Sequence, residues 1–366
     1  MDKGYLKISR FLTVIFASYL LFGCAPPPIQ ERSELVFPAP PDPARFIFEK
    51  MIYSNLDIEG ESEDEAMTRF LTGIGKQGQG FSKPFDVAVH QGRIFVSDTA
   101  SRKVYLIDKS KGLFKTIGDD SPEPFSKPMG LDVDENGNLY VMDITAKTLS
   151  IFDRDGSYLK SIKREELFSR PTGVAVDPKG TTAYVIDVGG VQSDKHQIQV
   201  FDIASGEHLR TMSKRGKGPG DLNLPKDAVI GKDGRLYVVD SGNFRINAYN
   251  PDGTFSHSFG QIGLQYGDFS RPKGISVDPD GNIYVVDAGF GNFQIFTPDG
   301  TLLLFVGNRS SRGDRAEYML PAGIDVDEDG RVYVVDQYHR KLEVYRPVAL
   351  KETDGYFGKP KPEVKK

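Results

Sequence analysis

An apolar run that ends in aspartate returns six times along the chain, and this period constrains the fold more than any other feature. The runs read RIFVSD, NLYVMD, TAYVID, RLYVVD, NIYVVD and RVYVVD, and they end at Asp98, Asp143, Asp187, Asp240, Asp287 and Asp336. Successive aspartates stand 45, 44, 53, 47 and 49 residues apart. A period of about 40–50 residues is typical of the blades of a β-propeller.

Each repeat contains four short strand patterns. The fifth copy reads RPKGISVD, NIYVVD, NFQIF and TLLLFVG, and the turn sequences PDG, AGFG and TPDG separate them. The runs are apolar at nearly every position, which predicts sheets that are buried on both faces. Length alone suggests two domains for 366 residues. The period instead predicts one all-β, six-bladed β-propeller of four-stranded antiparallel blades.

The last repeat has no clear fourth strand, so another segment must complete the ring. An open sheet edge is a liability, and the opposite end of the chain commonly fills it. We expect residues 45–53, RFIFEKMIY, to be the N-terminal strand that closes blade six. The alternative is residues 69–75, RFLTGIG. Against it, Ser62 followed by Glu65 resembles a capping box that opens a short helix.

The N-terminus indicates where the protein resides. Basic residues precede the apolar stretch FLTVIFASYLLFG, and LFGC resembles the lipobox of bacterial lipoproteins. The resemblance implies lipidation of Cys24, the single cysteine of the chain. The alternative is an ordinary cleaved signal. Ala25 favours the outer membrane in a Gram-negative cell, so we expect a lipid-anchored protein of the cell envelope that faces the periplasm or the cell surface.

The domain boundaries follow from these patterns. Residues 1–23 are a predicted lipoprotein signal peptide, and residues 24–44 are a lipidated cysteine with a Pro-rich linker. The propeller is expected over residues 45–347. Residues 348–366 are expected to form a Lys/Pro-rich C-terminal tail.

The repeats resemble NHL repeats over residues 83–346. LPAGIDVDEDGRVYVVDQYHRKLEVY and LPKDAVIGKDGRLYVVDSGNFRINAY match the NHL pattern closely. The NHL family includes lyases, lactonase-like relatives, RNA-binding modules and plain interaction platforms. The resemblance therefore implies a fold but not an activity.

Two aspartates interrupt the repeat pattern at the predicted mouth of the central channel. Asp86 and Asp227 follow the repeat proline, where the other four blades carry Gly130, Gly173, Gly274 and Gly323. Blades one and four face one another, so paired carboxylates there, with Lys226 and Lys273, form a candidate ligand site. The alternative is that both aspartates cap local backbone groups in a watery channel. No cofactor is expected, although a divalent cation in the channel is possible.

Other candidate residues point to structure. The six repeated aspartates are expected to fix turns by accepting backbone N–H groups. The resemblance to amidating lyases would imply a three-histidine metal site, but the five histidines of this chain do not converge. His339 stands where NHL repeats often carry histidine. We therefore assign no catalytic residues and leave the metal unknown.

Charge is distributed unevenly between the two rims. We call "top" the rim that holds the turns from second to third strand and the connections between blades, and "bottom" the opposite rim. The top rim carries candidate binding residues, namely Arg102, Lys103, Lys147, Arg245, Arg340 and Lys341. The bottom turns are rich in Asp and Glu. The net charge of −5 argues against nucleic acid as a partner, while scattered charge for solubility remains the alternative interpretation.

Two hypotheses of different classes follow. The first is a non-enzymatic binding platform, a monomeric propeller whose top-rim loops hold an envelope protein or an anionic polymer such as a polysaccharide. The second is a lyase or lactonase-like enzyme at the channel mouth that acts through Asp86, Asp227 and either Lys226 or Lys273.

Overall fold

The computed structural model of the protein describes residues 34–60, 63–119, 121–190 and 192–358. The predicted signal peptide, Cys24 and the predicted cap residue Ser62 lie outside these ranges. Within the described ranges, no helix has the length and the apolar character needed to cross a membrane.

The first elements precede the repeats. Strands β1 (Val36–Phe37) and β2 (Phe46–Ile52) come before a ten-residue helix, α1 (Glu63–Thr72). Single turns of 3-10 helix cover Asn55–Asp57, Lys109–Lys111 and Ser241–Asn243.

Blades one to three follow, and each is antiparallel throughout. Blade one contains β3 (Pro84–His90), β4 (Arg93–Asp98), β5 (Lys103–Asp108) and β6 (Leu113–Ile117). Blade two contains β7 (Pro128–Val133), β8 (Leu139–Asp143), β9 (Thr148–Phe152) and β10 (Tyr158–Lys163). Blade three contains β11 (Pro171–Val176), β12 (Thr182–Asp187), β13 (Gln197–Asp202) and β14 (His208–Met212).

Blades four to six complete the ring. Blade four contains β15 (Ala228–Ile230), β16 (Leu236–Asp240), β17 (Arg245–Tyr249) and β18 (Phe255–Phe259). Blade five contains β19 (Pro272–Val277), β20 (Ile283–Asp287), β21 (Asn292–Phe296) and β22 (Leu302–Val306), and a short parallel pair follows, β23 (Asn308–Arg309) with β24 (Glu317–Tyr318). Blade six contains β25 (Pro321–Val326), β26 (Val332–Asp336) and β27 (Lys341–Pro347). The all-β, six-bladed propeller is therefore confirmed.

The core lies between the blades. Each of the six apolar clusters joins two neighbouring sheets; one of them packs Phe95 and Leu106 of blade one against Leu139 and Val141 of blade two. Burying both faces removes most apolar side chains of each sheet from water, and this burial is the main stabilising term. The near-continuous apolar strands of the sequence arise from this stacking.

The N-terminal strand closes blade six, as predicted. Strand β2 pairs antiparallel with β27 from Phe46 opposite Pro347 to Ile52 opposite Leu342, and β1 adds a fifth strand outside it. The alternative segment, residues 69–75, is not a strand, because it begins within α1. Arg331, which directly precedes β26, reinforces the closure by donating from Nε to Glu49 Oε2 of β2 at 2.8 Å, and both side chains are buried.

Packing continues beyond β27. Phe357 is completely buried, with its ring centroid 5.8 Å from that of Tyr333 and 4.3 Å from the Lys109 ammonium nitrogen. Arg331 also donates to the backbone carbonyls of Lys351 and Asp354. The segment after residue 347 thus packs against the bottom of blades six and one as far as Phe357.

Candidate functional site

The repeated strand-end aspartates organise the top rim. The Asp98 carboxylate accepts four backbone N–H groups, two from the residues that precede β3 and two from the turn that follows β4. Asp143, Asp287 and Asp336 accept equivalent sets. Their predicted role in fixing turns is confirmed by these contacts.

These aspartates also hold a basic residue at the entrance to four inner strands. The residue before the repeat proline is Lys83, Lys127, Arg170 or Arg271 in blades one, two, three and five. Each donates its backbone N–H to the strand-end aspartate of its own blade. This recurrence was not predicted, although a Lys-Pro or Arg-Pro pair in four of six repeats was the available signal.

A cavity of about 260 Å³ occupies the top mouth of the channel. We call it the channel-mouth cavity. It brings together all four residues predicted for this place, Asp86, Asp227, Lys226 and Lys273, and adds Lys127 and Arg170 from the set above. The rest of the lining is largely apolar and includes Phe85, Met129, Ile144, Val188, Leu224 and Ala322.

Both carboxylates at this mouth bridge neighbouring blades. Asp86 Oδ2 accepts the backbone N–H of Leu131 in blade two at 2.9 Å, and Asp227 Oδ2 accepts that of Ile275 in blade five at 3.2 Å. Burial raises the pKa of Asp86 to about 7. Burial, and next the charge of Asp86, raise the pKa of Asp227 well above its usual range.

Lys226 and Lys273 have apolar and positively charged neighbours. Burial, and next the nearby cations Arg271 and Lys226, lower the pKa of Lys273 to about 8. The pKa of Lys226 is lowered by burial and then by Arg170. Among the described residues, neither ammonium group has a hydrogen-bond acceptor or an ion-pair partner.

Deeper in the channel, two more carboxylates repeat the bridging arrangement. Asp132 accepts the backbone N–H of Val176 at 2.6 Å, and Asp325 accepts that of Val89 at 2.7 Å. Neither residue was predicted from the sequence. Across the described ranges, no group of three or more His, Cys, Asp or Glu side chains is arranged to hold a metal ion.

The histidines make structural contacts. The buried His196 accepts the N–H of Leu224 at Nδ1, 3.1 Å away, and its Nε2 lies 3.1 Å from the Gly190 carbonyl. His339 Nε2 lies 3.0 Å from the Ser310 carbonyl, and His90 pairs with Glu328 at the bottom. The expectation that the histidines do not form a common site agrees with these positions.

The bottom mouth has the opposite character. A cavity of about 400 Å³ opens there, and its acidic lining residues are Asp132, Asp134, Glu135, Asp325, Asp327 and Glu328. Lys232 and His90 are the basic residues of this lining. The charge polarity expected from the sequence is therefore present in the linings of the two mouths.

The six predicted rim residues differ in availability. Arg102, Lys103 and Arg340 are exposed, and Lys147 is half-buried. Two assignments need correction. Lys341 is completely buried; its ammonium donates to the carbonyls of Asp314 and Glu317 and to Glu343 Oε1.

Arg245 is the second correction. It forms an ion pair with Asp240 at 2.9 Å and donates to the carbonyls of Gly218 and Asp221. Arg245 and Lys341 are the first residues of β17 and β27, so they occupy the same repeat position. In both blades a long incoming connection folds over this position and supplies carbonyl acceptors, which turns the cation inward.

Apolar side chains project from the connection into blade five. Ile262, Leu264 and Tyr266 are 67%, 91% and 70% exposed. Three contacts hold the connection: Asp268 accepts the N–H of Gln265 at 2.9 Å, Gln294 of β21 donates to the Asp268 carbonyl, and the Tyr266 ring stacks on Phe305 with ring centroids 3.9 Å apart. We call this connection the blade-five loop (residues 260–271). The charges of the top rim were predicted from the sequence, but these exposed apolar side chains were not.

A second exposed apolar surface lies on α1 and on Ile74, two residues after the helix ends. Met67, Phe70, Leu71 and Ile74 are between 58% and 84% exposed. Lys76 ties the segment back through ion pairs with Glu59 at 2.8 Å and Glu65 at 3.1 Å. The short helix predicted here is confirmed, and its apolar side faces solvent.

Comparison with known proteins supports the repeat assignment. The NHL repeat profile matches residues 269–297, which include the first three strands of blade five. Protein brain tumor of Drosophila melanogaster is 26% identical over 140 residues, 37% of this chain and 12% of that protein. Peptidyl-glycine alpha-amidating monooxygenase B of Xenopus laevis is 27% identical over 204 residues, 52% of this chain and 23% of that protein. The chain thus spans less than a quarter of the length of either relative.

Solved structures share the fold at low identity. A gluconolactonase from Xanthomonas campestris superimposes with a TM-score of 0.56 at 17% identity, over 82% of this chain and 98% of that one. A catalytically inactive virginiamycin B lyase from Staphylococcus aureus with quinupristin gives 0.52 at 17% identity, over 75% and 86%. A Bacteroides thetaiotaomicron protein of unknown function gives 0.59 at 17%, over 81% and 75%. The repeat match and the six antiparallel blades together identify the chain as a six-bladed β-propeller that contains an NHL repeat.

Proposed function

We propose that the propeller is a non-enzymatic platform that binds an envelope protein through its top-rim loops. The observation that carries this proposal is the blade-five loop, which displays Ile262, Leu264 and Tyr266 to solvent on a backbone held by hydrogen bonds. Exposed apolar groups on an ordered backbone are typical of protein interfaces. A segment that is already ordered loses little conformational entropy when a partner binds.

Rim charge supports a partner with acidic groups. Arg102, Lys103 and Arg340 are exposed on the same rim, as is Tyr338 at 54%. Tyr and Arg are enriched where proteins meet, and rim cations speed the encounter with an acidic surface. An anionic polysaccharide is the alternative partner, and it would use the cations without the apolar loop.

The test compares the wild-type protein with a double variant of the blade-five loop. The wild-type protein and a Leu264→Ser/Tyr266→Ser variant are immobilised, solubilised envelope is passed over each, and the retained proteins and glycans are quantified by mass spectrometry. We expect a specific protein to be retained by the wild type and reduced at least about tenfold by the variant, since a central apolar anchor contributes about 2 kcal/mol or more. That protein is then purified and titrated against both forms.

A matched control replaces apolar residues elsewhere on the surface. Leu159 and Leu209 are 51% and 49% exposed on outer strands β10 and β14, so Leu159→Ser/Leu209→Ser should retain the same protein. Arg102→Glu/Arg340→Glu should weaken capture, and added salt should do the same. Equal capture by the wild type and the blade-five variant, or capture of a glycan alone, would reject the protein-platform proposal.

We also propose that Cys24 carries a lipid anchor that places the propeller in the cell envelope. Support comes from the LFGC sequence after an apolar stretch and from the Pro-rich segment that follows. An anchored platform would hold its partner at a membrane surface.

A second candidate is a lyase or lactonase-like enzyme at the channel mouth. The observation in its favour is the cavity that combines Asp86 and Asp227 with Lys226 and Lys273. Purified protein would be assayed for hydrolysis of gluconolactone and for opening of quinupristin. Turnover that is abolished in Asp227→Asn would favour this candidate over the platform.

A further inference from the structure

We propose that the channel-mouth cavity binds a small organic anion, a carboxylate or phosphate with an apolar body, at a site formed by Lys127, Arg170, Lys226 and Lys273. This site is distinct from the rim surface that would hold a protein partner. It shares the cavity with the enzyme candidate but requires no catalysis, so a binding measurement tests it separately from either function proposed above.

The charge of the lining favours an anion. Four cations from four consecutive blades face this cavity, together with two carboxylates. The lining is therefore net positive even when Asp86 and Asp227 are both ionised. The oxygens of these carboxylates are, moreover, engaged with backbone N–H groups: Asp86 accepts from Val87 and Leu131, and Asp227 accepts from Ile275.

The two inner lysines lack the partner that an anion would supply. Lys226 and Lys273 are half-buried, and they make no hydrogen bond and no ion pair within the part of the chain that the structure describes. The strongest charged neighbours of Lys273 are other cations, Arg271 and Lys226. A bound anion would offset this repulsion and accept hydrogen bonds in which both partners are charged, whereas a neutral ligand of equal size brings no opposing charge.

The remaining lining selects the shape of the ligand. Phe85, Met129 and Leu224 surround the cations with apolar surface. A bare inorganic ion would leave this surface in contact with water, whereas an apolar body would cover it. The volume of about 260 Å³ is below the range of about 300–1,000 Å³ that holds drug-sized molecules, so the ligand is small.

Calorimetric titration of the purified protein at pH 7 tests the site with four probes: hexanoate, hexyl phosphate, hexanamide and inorganic phosphate. We expect one saturable site for hexanoate or hexyl phosphate, with an affinity about tenfold or more above those of hexanamide and inorganic phosphate. The affinities for hexanoate and hexyl phosphate are then compared, and the tighter ligand shows whether the site prefers a carboxylate or a phosphate. Equal affinity for hexanamide, or no saturable binding of either organic anion, would overturn the proposal.

Variants locate the site. Lys226→Gln/Lys273→Gln should lower anion affinity about tenfold or more, whereas Lys232→Gln, a lysine of the bottom mouth, should leave it unchanged. Circular dichroism and thermal unfolding verify that each variant is folded. If the double variant does not fold, the single variants Lys226→Met and Lys273→Met replace it. An unchanged affinity in folded variants that lack these ammonium groups would place the anion elsewhere and reject the assignment.

Discussion

Carboxylates serve two purposes in the inner half of the ring. The strand-end aspartates, such as Asp98, accept several N–H groups at the top rim and hold the turns. The channel aspartates Asp86, Asp132, Asp227 and Asp325 instead accept an N–H from the inner strand of a neighbouring blade. The second group therefore ties blades together, and burial raises the pKa of each of its members.

The raised pKa of Asp86 predicts that this carboxyl group lowers the stability of the fold as pH rises. Its folded-state pKa of about 7 lies above the ordinary value of 3.8. Between these values the native state holds a proton that the unfolded state has lost, so this group makes the protein less stable as pH rises from about 4 to 7. Carbon-13 NMR of the Asp86 carboxyl should show a midpoint near 7. A midpoint near 4 would contradict the assignment.

Lys341 and Glu343 form a buried ion pair, and we expect their contributions to stability to be strongly coupled. The Lys341 ammonium contacts Glu343 Oε1 at 2.6 Å, and both side chains are completely buried. Lys341→Met should destabilise the fold by about 3–5 kcal/mol because it leaves the Glu343 charge buried and unpaired. Lys341→Met/Glu343→Gln should recover part of this loss, since it removes both charges and keeps an acceptor for the Tyr345 hydroxyl.

Urea unfolding measures these differences. The control is Lys103→Met at the same repeat position of blade one, where the side chain is exposed; it should change stability by less than about 0.5 kcal/mol. Equal destabilisation by the single and double variants would show that the charge pair is not coupled.

At the scale of elements, the outer strand of blade six decides whether the ring closes. Strand β2 is distant in sequence from the rest of its sheet but pairs with β27 along its whole length. It also carries Glu49, the partner of the buried Arg331, and the core residue Ile52. Blade six is therefore built from both ends of the described chain, so that neither end can leave without exposing a sheet edge.

A chain that begins at Glu59 should be much less stable than one that begins at Glu34. The shorter chain loses β1 and β2, exposes the edge of β27 and leaves the Arg331 guanidinium without Glu49. Loss of the buried ion pair alone costs about 3–5 kcal/mol. Calorimetric melting of the two chains measures the difference. If they melt at the same temperature, β2 does not carry the closure.

At the scale of the whole molecule, the two ends of the central channel differ in charge. The top mouth combines four cations with two carboxylates and apolar residues, whereas acidic residues predominate at the bottom mouth. This difference in charge creates an electrostatic potential that changes sign along the channel axis. A charged partner is therefore attracted to one mouth and repelled by the other. This asymmetry would matter most for a platform fixed to a surface.

The predicted anchor is tested by Cys24→Ser. Lipid chains hold a protein at a membrane through buried CH₂ groups, and stable anchoring needs more than one chain. We expect the variant to appear in the soluble fraction or to remain unprocessed, and intact-mass measurement of the wild type should show an added lipid mass at the N-terminus. Membrane association and N-terminal mass that are the same in both proteins would exclude lipidation.

The sequence by itself determined the fold. Six strand-end aspartates 44 to 53 residues apart, four strand patterns per repeat and a missing last strand were sufficient to predict six blades and their closure by residues 45–53. Strand and turn chemistry is local, and the period repeats the same local pattern. The reading of Asp86 and Asp227 as residues of the channel mouth also followed from the period, because a shared repeat position has a shared place in the ring.

Only the tertiary structure decided which side chains meet and which remain available. Lys127 and Arg170 join Lys226 and Lys273 because four blades converge at one mouth, a juxtaposition that repeat position alone did not reveal. Lys341 and Arg245 looked like rim cations but point inward, because connections of irregular length fold over them. Burial depends on contacts between residues far apart in the chain, and the conformation of those connections does not follow the repeat.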